Sequence, residues 1–403
     1  MKVSVPTSPE LKSAEFDVQP GENIVAVTIP MGDDVKLWNE FHPEIYQLQS
    51  VLTYAAGATD TLITTLGMRK FNSVNRQILI NGNPVFLRGT LECAIFPKTG
   101  FPPTDKAEWL RILNECRAHG LNHLRFHSWC PPKAAFEAGD EAGFYFQVEC
   151  SSWANSSTTL GDGKPFDKYL VEESERMVEA YGNHPSFCMM AYGNEPGGPN
   201  YKAFLTEFVT YWKSKDRRRI YVSAAGWPIL DVNQYQNIPG PRIQGWGEEM
   251  RSIINAEPPK NNYDWNARIT TFTQPVVSHE IGQWCVYPNF TEIVKYDGAV
   301  RAKNFEIFQE TLTENGMAYL ADSFLLASGK LQALCYNADI EAALRTTGFG
   351  GFQLLDLHDF PGKGTALVGV LDPFWEEKGY ISPAEYSRFC NSTVPLARMK
   401  KFI

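Results

Sequence analysis

From about residue 78 onward, short apolar runs alternate with amphipathic stretches, and this repetition constrains the fold more than any other feature. The runs are Val85 to Gly89, Asn122 to Phe126, Phe144 to Glu149, Phe187 to Tyr192, Ile220 to Ser223, Arg242 to Gly245, Pro275 to His279 and Gly351 to Leu355. Each has the length and apolar continuity of a strand buried on both faces. Between them, Asp105 to His119 places Trp109, Leu110, Ile112, Leu113 and Cys116 near helical spacing, with Thr104 as the expected N-cap. Pro165 to Tyr181 and Tyr201 to Trp212 follow the same logic. Eight strand–helix units in a segment of this size fit an α/β fold, a (β/α)8 TIM barrel over residues 76–403. A doubly wound open sheet is the competitor, but no Gly-rich phosphate loop marks its ligand crevice.

Residues 1–75 read as all-β instead. Phe16-Asp-Val, Asn23 to Ile29 and Tyr46 to Tyr54 are short apolar or alternating stretches, separated by Pro20-Gly21 and Gly32-Asp33-Asp34. Only about four strands fit, too few for a seven-stranded sandwich. The segment is therefore expected to be the C-terminal part of an immunoglobulin-like β-sandwich.

A net charge of −9 argues against a nucleic-acid partner, which needs a basic surface. The cluster from Lys213 to Arg219 reads as a solvated helix end. No apolar run is long enough to span a membrane, and the N-terminus lacks a signal peptide's apolar core. The chain as given reads as soluble; a periplasmic or secreted full-length protein is compatible with it. The eight cysteines have no C-x-x-C spacing, so buried free thiols are expected. Aromatic residues make up 13%, which serves large cores and sugar-stacking platforms alike.

In a (β/α)8 barrel the reactive side chains sit at the C-terminal ends of the strands. Those ends carry Arg125 and His127, Glu149, Asn194 and Glu195, Glu280, and Asp356, His358 and Asp359. Glycoside hydrolysis needs two carboxylic groups across such a mouth, one protonated to serve the leaving oxygen and one ionised. Glu195 and Glu280, from the fourth and seventh strands, are the candidate pair, as general acid/base and nucleophile. A separation of about 5–5.5 Å would make the reaction retaining. Arg125 is placed to keep the nucleophile ionised, and Asn194 to bond a sugar hydroxyl. His127, Glu149, Trp246, Trp284, Asp356 and His358 complete the candidate substrate-binding set. For each alone the ordinary alternative is structural: a loop carboxylate, rim packing, or Glu149 simply balancing Arg125. His123 and His127 lack the glutamate of a metalloprotease motif, so no metal ligands are assigned. No cofactor is expected, and a structural or substrate-site metal ion is left open.

At these motifs the chain resembles glycoside hydrolase family 2. Gly67-Met-Arg-Lys-Phe is similar to that family's linker, and Ile80-Asn-Gly-Asn-Pro-Val-Phe-Leu-Arg-Gly to its entry into the barrel. Gly182-Asn-His-Pro-Ser followed by Gly193-Asn-Glu resembles the acid/base signature, and Ser278-His-Glu-Ile-Gly the nucleophile strand. The resemblance implies a retaining exo-β-glycosidase, β-galactosidase-like, acting on a terminal sugar of an oligosaccharide. It also implies an N-terminal sugar-binding jelly roll beyond this sequence. The departures lie in the pocket: Glu92 and Cys93 follow Arg88-Gly89, the second strand reads Arg125-Phe-His127, and no tryptophan ends the eighth. They motivate the alternative of a non-catalytic carbohydrate-binding barrel.

Overall fold

The computed structural model describes residues 2–4, 12–155, 158–243, 252–256, 258, 260–360 and 367–399. Eight parallel strands form the barrel: β8 (Leu87–Glu92), β9 (His123–Phe126), β10 (Tyr145–Glu149), β11 (Phe187–Ala191), β12 (Ile220–Val222), β13 (Gln236–Ile238), β14 (Val276–Gly282) and β15 (Gly351–Leu355). The sheet runs β12-β11-β10-β9-β8-β15-β14-β13, so β8 pairs with the last strand. Single hydrogen bonds close the β12/β13 seam. Gln234 N donates to Tyr221 O at 3.0 Å and Gly226 N to Asn237 O at 2.9 Å, while Ser223 N donates to Asn233 Oδ1 at 2.9 Å.

Helices α1 (Lys106–Ala118), α2 (Lys133–Ala142), α3 (Pro165–Tyr181) and α4 (Tyr201–Lys215) cover the first half of the barrel. The N-cap of α1 is Asp105, one residue beyond the expected Thr104, because its carboxylate accepts from Glu108 N. No helix joins β12 to β13. The short α5 (Ile253–Ala256) and α6 (Asn266–Ile269) precede β14, and α7 (Lys303–Glu314) and α8 (Ala321–Leu344) precede β15.

The sixth strand is Gln236–Ile238 rather than the expected Arg242 to Gly245. Asn237 points its amide into the barrel and Gln236 bonds Leu230 O and Asn233 on the other face, so the strand has no apolar signature, and Gly240-Pro241 separates it from the apolar-looking run that follows. Arg242 and Ile243 lie beyond it, and residues 244–251, Trp246 included, are outside the described residues.

The N-terminal sheet has the order β2-β1-β3-β4, with β1 (Lys2–Ser4), β2 (Lys12–Ser13), β3 (Tyr46–Thr53) and β4 (Thr59–Leu66). Of the three stretches expected here, only the third is a strand. Phe16 to Val18 and Asn23 to Ile29 lie mostly exposed and pair with no neighbour among the described residues, so none of these supplies the ladder a strand requires. A three-stranded sheet, β5 (Phe71–Val74), β6 (Gln77–Ile80) and β7 (Asn83–Val85), then plugs the barrel floor. Its Phe71, Ile78, Ile80 and Val85 pack with Trp38 against Leu87, Met189, Ile220 and Val277 from the barrel interior.

Above that apolar floor lies a layer of hydrogen-bonded amides. Gln353 Nε2 donates to Gln147 Oε1 (2.9 Å), Gln147 Nε2 to Asn237 Oδ1 (3.1 Å), and Asn237 Nδ2 to Gln353 Oε1 (3.0 Å). Tyr235 Oη also donates to Gln147 Oε1 at 3.0 Å. The His123 ring joins this layer only because residue 89 is glycine: a Cβ there would stand 2.4 Å from His123 Cδ2. A buried polar layer is tolerable when its members satisfy one another, and it then fixes the strands' relative heights. This layer is the platform beneath the site.

Candidate active site

Glu195 and Glu280 both stand at the barrel mouth with positive φ, 40° and 54°. Non-glycine residues avoid this region, and such strain persists where surrounding structure enforces it, commonly at functional sites. At Glu280 the cause is local. The β14/β15 register shifts between Ser278 and Ile281, a bulge that re-aims the carboxylate. Before Glu195, the chain passes so close to Ser152 that a Cβ on Gly193 would lie 2.3 Å from Ser152 O. Bridges from Asn194 to Trp153 and Ala225 then hold this segment in the sheet's line.

Arg125, fully buried, organises the floor of the mouth. Its Nε and one Nη donate to the two oxygens of Glu149, at 2.6 and 3.2 Å. Its Nη groups also reach Asn194 Oδ1 at 2.7 Å and Glu280 Oε1 at 3.2 Å. His279 Nε2 stands 2.8 Å from Glu280 Oε1 and 3.1 Å from Asn194 Oδ1, and His127 Nε2 lies 3.5 Å from Glu280 Oε1. Burial works against ionisation of Glu280, but His279, the hydrogen bond from His127 and the Arg125 charge outweigh it. They hold the carboxyl well below its ordinary range. Glu149 follows the same pattern: burial opposes its charge, and Arg125 prevails. Burial keeps the His279 imidazole below its usual value despite Glu280.

Glu195, like Glu280, is half-buried. Trp153 Nε1 donates to its Oε2 at 2.9 Å, and its backbone N–H bonds Ala225 O at 2.8 Å. Ligand atoms of Glu195, His279 and Glu280 lie within 4.8 Å of one another. Such a cluster could hold a cation, and the same spacing suits two carboxylates flanking a glycosidic bond.

The structure thus brings Arg125, His127, Glu149, Asn194, Glu195 and Glu280 into one cluster. Glu149 is engaged by Arg125, with further bonds from Gln147 Nε2 at 3.0 Å and Ser128 N at 2.8 Å. Asp356 and His358 are fully buried. Thr90 Oγ1 donates to Asp356 Oδ1 at 2.6 Å, and His358 Nε2 stands 3.2 Å from Glu92 Oε2. Burial pushes the Asp356 carboxyl up to about 7. Burial opposes charge on His358, yet Asp356 and Glu92 lift the imidazole to about 9. The two support the mouth from beneath and present no open surface to it. Trp284 is half-buried against the main core, a packing role. Sequence reasoning missed Trp153 and His279 as site residues. His279 adjoins Glu280, and regular alternation would turn it to the other face; the bulge that brings both to the mouth shows only in the structure. Trp153 follows a strand end by four residues, which no spacing rule captures.

A closed parallel barrel whose mouth gathers two glutamates, an arginine and an asparagine defines the scaffold class of barrel glycosidases. Residues 72–283, just over half of the chain, match the model described as "Glycosyl hydrolases family 2, TIM barrel domain". The chain belongs to glycosyl hydrolase family 2. A β-galactosidase of Lactococcus lactis subsp. lactis is 28% identical over 173 residues, covering 42% of this chain and 17% of that protein. A β-galactosidase of Enterobacter cloacae is 27% identical over 207 residues, covering 48% and 20%. Each alignment therefore spans about a fifth of the relative's length or less. Among solved structures, a β-glucuronidase from Parabacteroides merdae superposes with a TM-score of 0.64 at 15% identity, over 97% of this chain and 48% of that one. A galacturonate-bound β-galacturonidase from Eisenbergiella tayi gives 0.65 at 14% identity, over 97% and 66%. These likenesses define the fold. Among the described residues, no helix is long and apolar enough to cross a membrane.

Proposed function

We propose that this chain carries the catalytic centre of a retaining exo-β-glycosidase. Glu280 attacks the anomeric carbon as the glycosidic C–O bond breaks, and Glu195 protonates the departing oxygen. Glu195 then takes a proton from water, which displaces Glu280 from the sugar with a second inversion. The observation that carries the reading is the pairing of unlike environments. Glu280 is held ionised by Arg125, His279 and His127, while Glu195, within 4.8 Å, has no cation among its described partners. Asn194 Nδ2, buried and with no partner among the described residues, supports a bond to the hydroxyl beside the reacting carbon.

For the sugar, we favour a neutral terminal hexose, galactose first, after the names of the sequence relatives. Arg125 is engaged by carboxylates and Arg242 Nη1 by Glu280 O at 2.8 Å, so neither guanidinium is poised for a uronic acid. The carbohydrate-binding barrel without catalysis is the second reading, motivated by Glu92 and Cys93 in the pocket. An ionised buried Glu280 held by three groups argues against it, since such a charge is costly to maintain. Alanine at either glutamate is expected to abolish hydrolysis of an aryl β-galactoside. Azide should restore turnover in Glu280→Ala and give the inverted glycosyl azide. Full activity in either alanine variant would remove that residue from the mechanism.

A further inference from the structure

Beside Glu195 a cavity of about 370 Å³ opens between the ends of β12 and β13, lined by Gly226, Trp227, Ile229, Ile238, Pro239 and Gly240. Its Gly226 wall backs onto Glu195 and His279. A Cβ on Gly226 would lie 3.0 Å from Glu195 Cγ and 3.6 Å from His279 Cε1. The wall is also tied to the acid/base segment, because Trp227 Nε1 donates to Pro196 O at 2.8 Å.

Among the described residues the lining offers mostly apolar side chains. None of the six carries a charged side chain, and the indole N–H is already spent on Pro196. The main-chain N–H groups of Gly226 and Gly240 are spent as well, on Asn237 O at 2.9 Å and Ile238 O at 2.7 Å. A sugar placed here would give up water at its hydroxyls and find few donors in return. An alkyl or aryl group would cover the Trp227 face and the half-exposed Ile229, burying apolar surface on both sides.

Building on the glycosidase reading, we propose that this cavity receives the leaving group, and that it selects glycosides whose aglycone is an apolar alkyl or aryl group. The departing oxygen would then sit between the cavity and Glu195, where protonation is needed.

The test holds leaving-group chemistry constant. Methyl, butyl and hexyl β-D-galactopyranosides, and the matching β-D-glucuronides, have leaving alcohols of near-equal basicity, so kcat/KM across each series reports contact with the chain. The expected result is a rise of about tenfold from methyl to hexyl. Ile229→Asp, at an exposed position, should bring the hexyl-to-methyl ratio close to one. Leu334→Asp, exposed on the outer face of α8, should keep the wild-type ratio. A flat series in the wild type overturns the pocket and leaves the glycosidase reading standing. A rise that survives Ile229→Asp places the apolar contact elsewhere and also overturns it. Release of no sugar from any substrate overturns the underlying reading and the pocket with it.

Discussion

Replacing Arg125 with methionine should separate what this residue does for the fold from what it does for the chemistry. Its guanidinium is fully buried and is the compensating charge for Glu149, also fully buried, through bonds of 2.6 and 3.2 Å. Removing one member of such a pair leaves an uncompensated charge and costs about 3–5 kcal/mol. With a urea m-value of about 3 kcal/mol/M or more for a chain this long, the unfolding midpoint should fall by roughly 1 M. Glu149 sits below its ordinary value of 4.5 in the folded state, so its contribution is present above that pH and lost as pH falls through the folded value. The stability gap between wild type and Arg125→Met should accordingly be widest near neutrality and close on acidification. Adding Glu149→Leu removes the orphaned charge, and the double variant should recover most of the lost stability. Activity should not recover with it. Glu280 loses the permanent cation at 3.2 Å, its carboxyl rises, and the acid limb of kcat/KM moves to higher pH in both variants. Urea titrations and pH–rate profiles read the two effects separately. An Arg125→Met protein that unfolds at the wild-type midpoint, or keeps the wild-type acid limb, would refute this reasoning.

Three further expectations follow from single contacts. Trp153→Phe deletes the indole donor to Glu195 Oε2 and should lower kcat/KM about tenfold with no change in Tm; unchanged kinetics would deny that bond a role. Gly226→Ala adds a methyl 3.0 Å from Glu195 Cγ at a φ of +102°, and should cost about 1 kcal/mol of stability and at least tenfold in kcat. Wild-type kcat in that variant would show that Glu195 tolerates the shift. Burial and the nearby Asp359 charge lift the Glu292 carboxyl to about 8, above its ordinary 4.5. The unfolded chain therefore loses this proton first, and the penalty grows between those pH values and then levels. Glu292→Gln should raise Tm at pH 8 and above with little effect near pH 5, and a pH-independent difference by scanning fluorimetry would contradict it.

The barrel was legible wherever its strands are apolar throughout. Phe187–Ala191 is buried on both faces and read as a strand without help, whereas Leu87–Glu92, carrying Arg88, Thr90 and Glu92, begins and ends later than the expected Val85 to Gly89. Gln236–Ile238 was not legible, because Asn237 serves the amide layer and Gln236 bonds the loop before it, tertiary roles that no local pattern displays. Two of the three N-terminal stretches failed for the opposite reason: Asn23 to Ile29 has the composition of a strand but no neighbour to pair with among the described residues. Glu195 and Glu280 stood out since each ends an apolar run, and their positive φ values could not be read from residue type. Trp153 and the Gly226–Trp227 wall converge on Glu195 from separate strand ends, so their grouping belongs to the closed barrel alone.

The most direct measurement is covalent capture. Incubation of the chain with 2-deoxy-2-fluoro-β-galactosyl fluoride, followed by intact mass and peptide mapping, should show one added fluorosugar carried by Glu280, and none in Glu280→Ala. An adduct on any other side chain, or hydrolysis of an aryl galactoside that releases the inverted sugar without an adduct, would contradict the account.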